Sequence, residues 1–96
     1  MRNYEALYIV AANLTDDQVS AIANRWKEVT EKLGGTVEEA GKWETRRLEF
    51  EIKGHRDGTY ILMKFSGTPA IQHELKRQMM ISDDILRLRI FLMEAV

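Results

Sequence analysis

The sequence predicts an α+β fold in which four strands and two helices follow one another in the order β-α-β-β-α-β. Three observations lead to this order: four stretches of alternating or continuous apolar residues, two stretches with helical apolar spacing, and a capping signal before each helix. Two helices separated by a hairpin indicate a ferredoxin-like, four-stranded antiparallel sheet with both helices on one face. The 96 residues are expected to form one domain, residues 1–96.

The first strand and the first helix have clear patterns. In "NYEALYIVAA" the even-numbered residues from Tyr4 to Val10 share one face, and Leu7 and Ile9 lie on the other, which predicts a central strand. Thr15 and Gln18 predict a capping box at the start of the helix. Gly34 predicts its end, because glycine adopts the left-handed cap conformation cheaply. The expected buried stripe of this helix is Val19, Ile22, Ala23, Trp26, Val29 and Leu33.

The second strand is expected over residues 36–53, with Leu48, Phe50 and Ile52 on its buried side. The segment "GHRDG" predicts a hairpin loop whose turn is Asp57-Gly58. The third strand, "TYILMKF", places Leu62 on the face opposite Ile61 and Met63. A Thr-Pro pair at 68–69 predicts the cap and first turn of the second helix. The last strand is "ILRLRIFLM".

The sheet face away from the helices is expected to be apolar. Its predicted lining contains Leu7, Ile9, Leu62, Phe91 and Met93. A contiguous exposed apolar patch indicates a surface for a partner. The alternative is that long charged side chains cover these residues, and the sequence leaves both interpretations open.

Composition restricts the function. A net charge of −1 means that any nucleic-acid contact is local or shared with a partner, and the absence of cysteine excludes disulfides and thiol catalysis. No apolar run reaches membrane-spanning length and no signal peptide is evident, so no membrane association and a cytoplasmic location are expected. His55 and His73 are expected to be surface residues, and Asp83-Asp84 a turn. We therefore predict no catalytic residue, no metal site and no cofactor.

Five arginines are the strongest candidates for a binding role. Arg46 and Arg47 precede the alternating part of the second strand, and Arg87 and Arg89 lie side by side on the open face of the last. Arg2 begins the first strand. The planar guanidinium group suits phosphate oxygens and stacking on bases. The alternative is that these arginines form ion pairs with glutamates on neighbouring strands, such as Glu5, Glu44, Glu49 and Glu51.

Several spaced motifs resemble the bacterial small-subunit ribosomal protein six family over nearly the whole chain. They are "MRNYE" at the start, "GGTVEE" leading into "KWETRRLEFEI", then "DGTYILMKF" and "ELKRQMMISDDILRLRIF". The chain departs from the family pattern at Glu44, Glu49, Phe50 and Glu51, where the family usually has glycine, alanine, tyrosine and often proline. Three of these departures add negative charge beside the arginines.

The resemblance implies a structural, non-enzymatic protein of the small ribosomal subunit. Family members bind small-subunit ribosomal RNA in the central domain, or platform, as a heterodimer with ribosomal protein eighteen. By resemblance, Arg2, Arg46, Arg47 and Arg87 are placed for RNA contact, and Arg89 joins them from its position on the open face. Trp43 and the edge of the second strand are candidates for the partner surface, together with the open-face residues Leu7, Ile9, Leu62 and Phe91. The isolated chain is expected to be a monomer.

Two other classes of function fit the predicted fold. One is a small homodimeric enzyme whose open sheet faces enclose a pocket, although the sequence offers no convincing catalytic base. The other is a ligand-sensing module built on the same sheet. The fold alone does not separate these alternatives.

Overall fold

A computed structural model, which describes residues 1–93, has the predicted order of elements and the predicted fold. Its antiparallel sheet has the strand order β2-β3-β1-β4, so β1 and β3 are central and β2 and β4 form the edges. The elements are β1 (Arg2–Ala11), α1 (Asp16–Lys32), β2 (Thr36–Ile52), β3 (His55–Gly67), α2 (Pro69–Met80) and β4 (Arg87–Met93). Within residues 1–93, no helix combines the length and apolar character needed to span a membrane.

Local signals in the sequence determine where the helices begin and end. Thr15 accepts a hydrogen bond from the Gln18 backbone, and the Gln18 side chain bonds the Thr15 backbone in return, so the predicted capping box is confirmed. Thr68 caps α2, and a proline follows it in the first turn. Helix α1 ends at Lys32, and Gly34 takes a positive φ of 101° directly after it. Each cap satisfies backbone groups that the helix itself leaves unpaired.

The core lies between the sheet and the two helices. The helix-facing side chains of β1 from Tyr4 to Val10 are buried, as their alternation predicts, and Trp26 of α1 is 2% exposed at the centre. Leu75 and Met79 of α2 are fully buried, whereas Ile71 is only partly covered. The buried cluster comprises Tyr4, Ala6, Tyr8, Val10, Val19, Ala23, Trp26, Ile61, Met63, Phe65, Leu75, Met79 and Ile85.

The hairpin between β2 and β3 differs from the prediction. Its turn is Lys53-Gly54, both with positive φ, and Ile52 pairs with His55 across it. The turn predicted at Asp57-Gly58 is therefore wrong. Gly58 lies inside β3. A side chain at this position would collide with a neighbour, since a Cβ atom would lie 2.4 Å from Ile9 Cγ2. Glycine is therefore needed at position 58 so that neighbouring side chains can pack closely, and not to form a turn.

Phe50 is 71% exposed, so its predicted place in the core is wrong. Leu48, on the same side of the alternation, is 8% exposed. The register explains the difference: Arg47 pairs with Asp57 and Ile52 with His55, so β2 uses more residues than β3 to cover the same span. Such an irregularity breaks the period of two on which the prediction of a buried Phe50 depended.

Two of the glycines on this hairpin, Gly58 and Gly41, give a matched test of the close approach at Gly58. Gly58→Ala should destabilise the fold by about 1–3 kcal/mol, because the new methyl group must displace Ile9 or Leu48. Gly41→Ala should change the free energy of unfolding by less than about 0.5 kcal/mol, since a methyl group there would meet no neighbour within 4 Å. Urea denaturation of both variants measures the difference, and equal effects would contradict the packing described.

A second pair of variants tests the exposure of Phe50. Phe50→Ala should cost less than about 1 kcal/mol, whereas Leu48→Ala should cost about 2–5 kcal/mol, because only Leu48 is buried. Chemical unfolding of the two variants under identical conditions makes the comparison. A larger loss for Phe50→Ala than for Leu48→Ala would return Phe50 to the core.

Candidate nucleic-acid interface

The strand register places the candidate residues in rows across the open face of the sheet. One row runs from Glu44 through Tyr60 and Ile9 to Arg87, and the next from Gly41 through Leu62 and Leu7 to Arg89. Since side chains directly opposite on antiparallel strands share a face, Arg87 and Arg89 lie on the open face, as predicted. The sheet thus places two arginines of β4 beside an apolar centre.

A groove forms where the end of β2 meets this face. It has a volume of about 590 Å³ and brings together residues from all four strands. Ile9 is only 6% exposed although it faces away from the helices, because it packs beside Leu48 and Gly58. The groove therefore has an apolar floor. Its lining is Leu7, Ile9, Arg46, Arg47, Leu48, Glu49, Phe50, Ile52, Tyr60, Arg87 and Arg89.

Four of the five predicted arginines lie in this groove. Arg46 and Arg47 come from β2, and Arg87 and Arg89 from β4, so two edge strands contribute to one concave surface. The lining contains one carboxylate, that of Glu49. A concave surface with excess charge of one sign concentrates its field, so the groove attracts anions although the chain as a whole is nearly neutral.

Arg46 has a defined position. Its guanidinium carbon lies 4.3 Å from the centre of the Tyr60 ring, a cation–π contact, and its Nη1 lies 3.3 Å from a carboxylate oxygen of Glu44. Contact with Tyr60, supported by the charges of Glu44 and Glu49, raises the pKa of Arg46 above its ordinary value. The predicted alternative of glutamate pairing therefore applies to Arg46, yet its side chain remains 52% exposed.

Arg2 lies apart from the other four arginines. It pairs with Gly67 at the beginning of β1, seven residues before Ile9, which corresponds to about 23 Å along the strand. It also belongs to the even-numbered, helix-facing side of β1, together with Tyr4 and Ala6. The structure does not bring Arg2 into the groove.

The residues predicted to contact a protein partner occupy the same face but differ in exposure. Trp43 is 56% exposed and lies edge-on against Tyr60, with ring centroids 6.2 Å apart. Phe91 is exposed, while Leu7 and Leu62 are half-buried in the middle of the sheet. Ile9 is buried and offers little surface to a partner. The exposed apolar area thus extends from the groove along β4.

The far end of the open face has no excess of positive charge. Lys64 lies between two carboxylates, 3.8 Å from Glu5 and 3.7 Å from Glu39. The register aligns these three residues with Phe91 in a single row. The arginine excess is therefore confined to the end of the face that contains the groove.

Tyr60 is the residue of this site that the sequence analysis missed. It is half-buried, lines the groove and contacts both Arg46 and Trp43. The sequence pattern places Tyr60 on the same open face as Leu62. The β2 residues that lie beside Tyr60, however, depend on a register shift between Lys42 and Glu44. Across residues 1–93, no group of histidine and acidic side chains is arranged to hold a metal ion.

Comparisons with known proteins all identify the same family. The sequence model of Ribosomal protein S6 matches residues 3–91. The "Small ribosomal subunit protein bS6" of Desulforamulus reducens is 42% identical over 87 residues, which cover 91% of this chain and 92% of that protein. The protein of the same name from Exiguobacterium sibiricum is 41% identical over 90 residues, 94% and 95% of the two chains.

A solved structure shares the fold. The crystal structure of 30S ribosomal protein S6 from Thermotoga maritima superposes with a TM-score of 0.86 at 24% identity, covering 96% of this chain and 87% of that one. The resemblance noted in the motifs, the family model and the relatives thus agree over most of the chain. The chain belongs to the Ribosomal protein S6 family, a family of structural proteins of the small ribosomal subunit.

Proposed function

We propose that this protein binds small-subunit ribosomal RNA in the central domain, or platform, together with ribosomal protein eighteen. Its role is structural and not catalytic, and it acts in the cytoplasm with the ribosome. The relatives' names and the family resemblance support the ribosomal part of this proposal. The geometry of the open face supports RNA as the ligand.

The observation that carries the proposal is the convergence of four arginines on one groove. Arg46, Arg47, Arg87 and Arg89 line it against a single carboxylate, although the whole chain has a net charge of −1. Guanidinium groups bind phosphate oxygens through paired hydrogen bonds. Because the protein has no general positive field, its affinity for RNA must come from a few arginines at fixed positions and from a basic partner.

The remaining open face suits the protein partner. Trp43, Leu62 and Phe91 lie beside the groove, and the first and last of these are exposed. An edge strand with an exposed aromatic side chain offers both unpaired backbone groups and apolar area for association. We infer that these residues contact ribosomal protein eighteen, and that the chain is monomeric without it. Arg2, at the other end of β1, would make a separate RNA contact.

Removal of two groove arginines tests the RNA contact. Arg46→Ala combined with Arg47→Ala should weaken binding of a central-domain RNA fragment in the presence of the partner protein. It should also reduce the slope of log affinity against log salt by roughly one to two, because up to two phosphate contacts are lost. The melting temperature should change by less than about 4 °C, since both side chains are exposed. Titration at two salt concentrations measures both effects.

The matched control removes two positive charges from the other side of the protein. Lys27 and Lys32 are exposed on α1, which lies on the opposite face of the sheet. Lys27→Ala with Lys32→Ala should leave RNA affinity almost unchanged. Equal weakening by the two double variants would mean that net charge, and not the groove, determines binding. A large loss of thermal stability in the arginine variant would instead make those arginines structural.

A further inference from the structure

Arg46 and Tyr60 form a pair at the edge of the groove, which we call the Arg46–Tyr60 stack, and Trp43, assigned above to the protein partner, contacts the Tyr60 ring. The Arg46 guanidinium carbon lies 4.3 Å from the Tyr60 ring centre, and Trp43 meets that ring edge-on at 82°. Glu44 holds the same guanidinium group from a second direction at 3.3 Å. Two independent contacts therefore restrict the position of one exposed guanidinium group.

Such a fixed arginine is prepared for binding. An exposed arginine normally loses much side-chain freedom when it contacts a ligand, and this loss weakens the interaction. Here the contacts with Tyr60 and Glu44 restrict Arg46 before any ligand arrives. Tyr60 contacts the guanidinium group, yet the Arg46 side chain remains 52% exposed. A planar group can stack on the accessible side.

We propose that the Arg46–Tyr60 stack binds one unpaired base of the RNA, an inference that rests on the proposed function. Unpaired bases stack on guanidinium planes and on aromatic rings. Arg87 and Arg89, alternate residues on the same face of β4, then contact the phosphates beside that base. Glu44 acts as a positioning residue for Arg46.

The groove has the character of a nucleotide site and not of a site for a helix. Its volume of about 590 Å³ is in the range of small-ligand sites, so it admits one or two nucleotides. Leu7 and Ile9 form an apolar floor, which suits the face of a base, while the arginines around it suit phosphate. A duplex presents only its phosphates and grooves to a protein and would leave this floor unused.

The charge of the groove also favours RNA over the protein partner. A basic protein segment would place like charges opposite four arginines, which is unfavourable. The partner therefore occupies the less charged area around Leu62 and Phe91, and the groove remains for RNA. The open face is thus divided between two ligands along β4.

The test combines protein variants with single abasic nucleotides in the central-domain RNA fragment. Each unpaired nucleotide is replaced in turn, and affinity is measured with the full chain and its partner. One abasic position should weaken binding about 5- to 150-fold, the range expected for loss of one base–aromatic stack. In the Tyr60→Leu and Arg46→Lys variants, the abasic substitution at that position should weaken RNA binding no further. The Arg46→Lys variant keeps the positive charge but lacks the planar guanidinium group.

The outcomes separate this inference from the proposed function. In one outcome, the intact RNA binds and the Arg46→Ala, Arg47→Ala variant binds it more weakly. If every abasic position then weakens binding equally in the unchanged protein and in the Tyr60→Leu and Arg46→Lys variants, the groove binds phosphate only and the stacking proposal fails. Loss of the partner complex with Tyr60→Leu in sedimentation would assign the stack to the protein interface and also overturn it. If the intact RNA does not bind at all, both proposals fall. Arg46→Lys keeps the test valid should Tyr60→Leu fold poorly.

Discussion

The packing of Ile9 and Leu48 over the bare backbone of Gly58 determines the shape of the open face. A Cβ at Gly58 would lie 2.4 Å from Ile9 and 3.2 Å from Leu48, so only glycine allows both side chains to approach. This contact holds the end of β2 close to the sheet. Ile9 and Leu48 both line the groove, so this contact shapes its apolar floor.

Electrostatic asymmetry on a nearly neutral protein is the second principle of this structure. At one end of the face, Lys64 lies between Glu5 and Glu39. At the other end, four arginines line the groove with Glu49, and Glu44 pairs with Arg46 beside it, so positive charge is in excess there. Such a surface attracts polyanions only at a defined place, so binding depends on orientation and not on net charge. Contacts of this kind fix the register of a protein on RNA, while specificity has to come from other groups such as Tyr60.

The sequence predicted the features that depend on neighbours in the chain and missed those that depend on strand register. The caps at Thr15 and Thr68 are local hydrogen-bonding patterns, and both were predicted correctly. Phe50 was misplaced because alternation indicates a face only while the register is continuous, and β2 is irregular after Arg47. Tyr60 was missed because its contact with Arg46 is diagonal between two strands, and the pairing of Glu44 with Tyr60 and of Arg46 with Gly58 is not evident from either strand alone.

The acidic residues of β2 have a consequence for self-association. This strand is 17 residues long and lies at the edge of the sheet, where unpaired backbone groups can template cross-β assembly with another copy. Glu38, Glu39, Glu44, Glu49 and Glu51 are distributed along it. The strand also carries Lys42, Arg46 and Arg47, so charged side chains occur along most of its length, and charge on an edge strand opposes pairing with another edge. The charged residues of β2 thereby reduce the tendency of the free chain to associate through this edge.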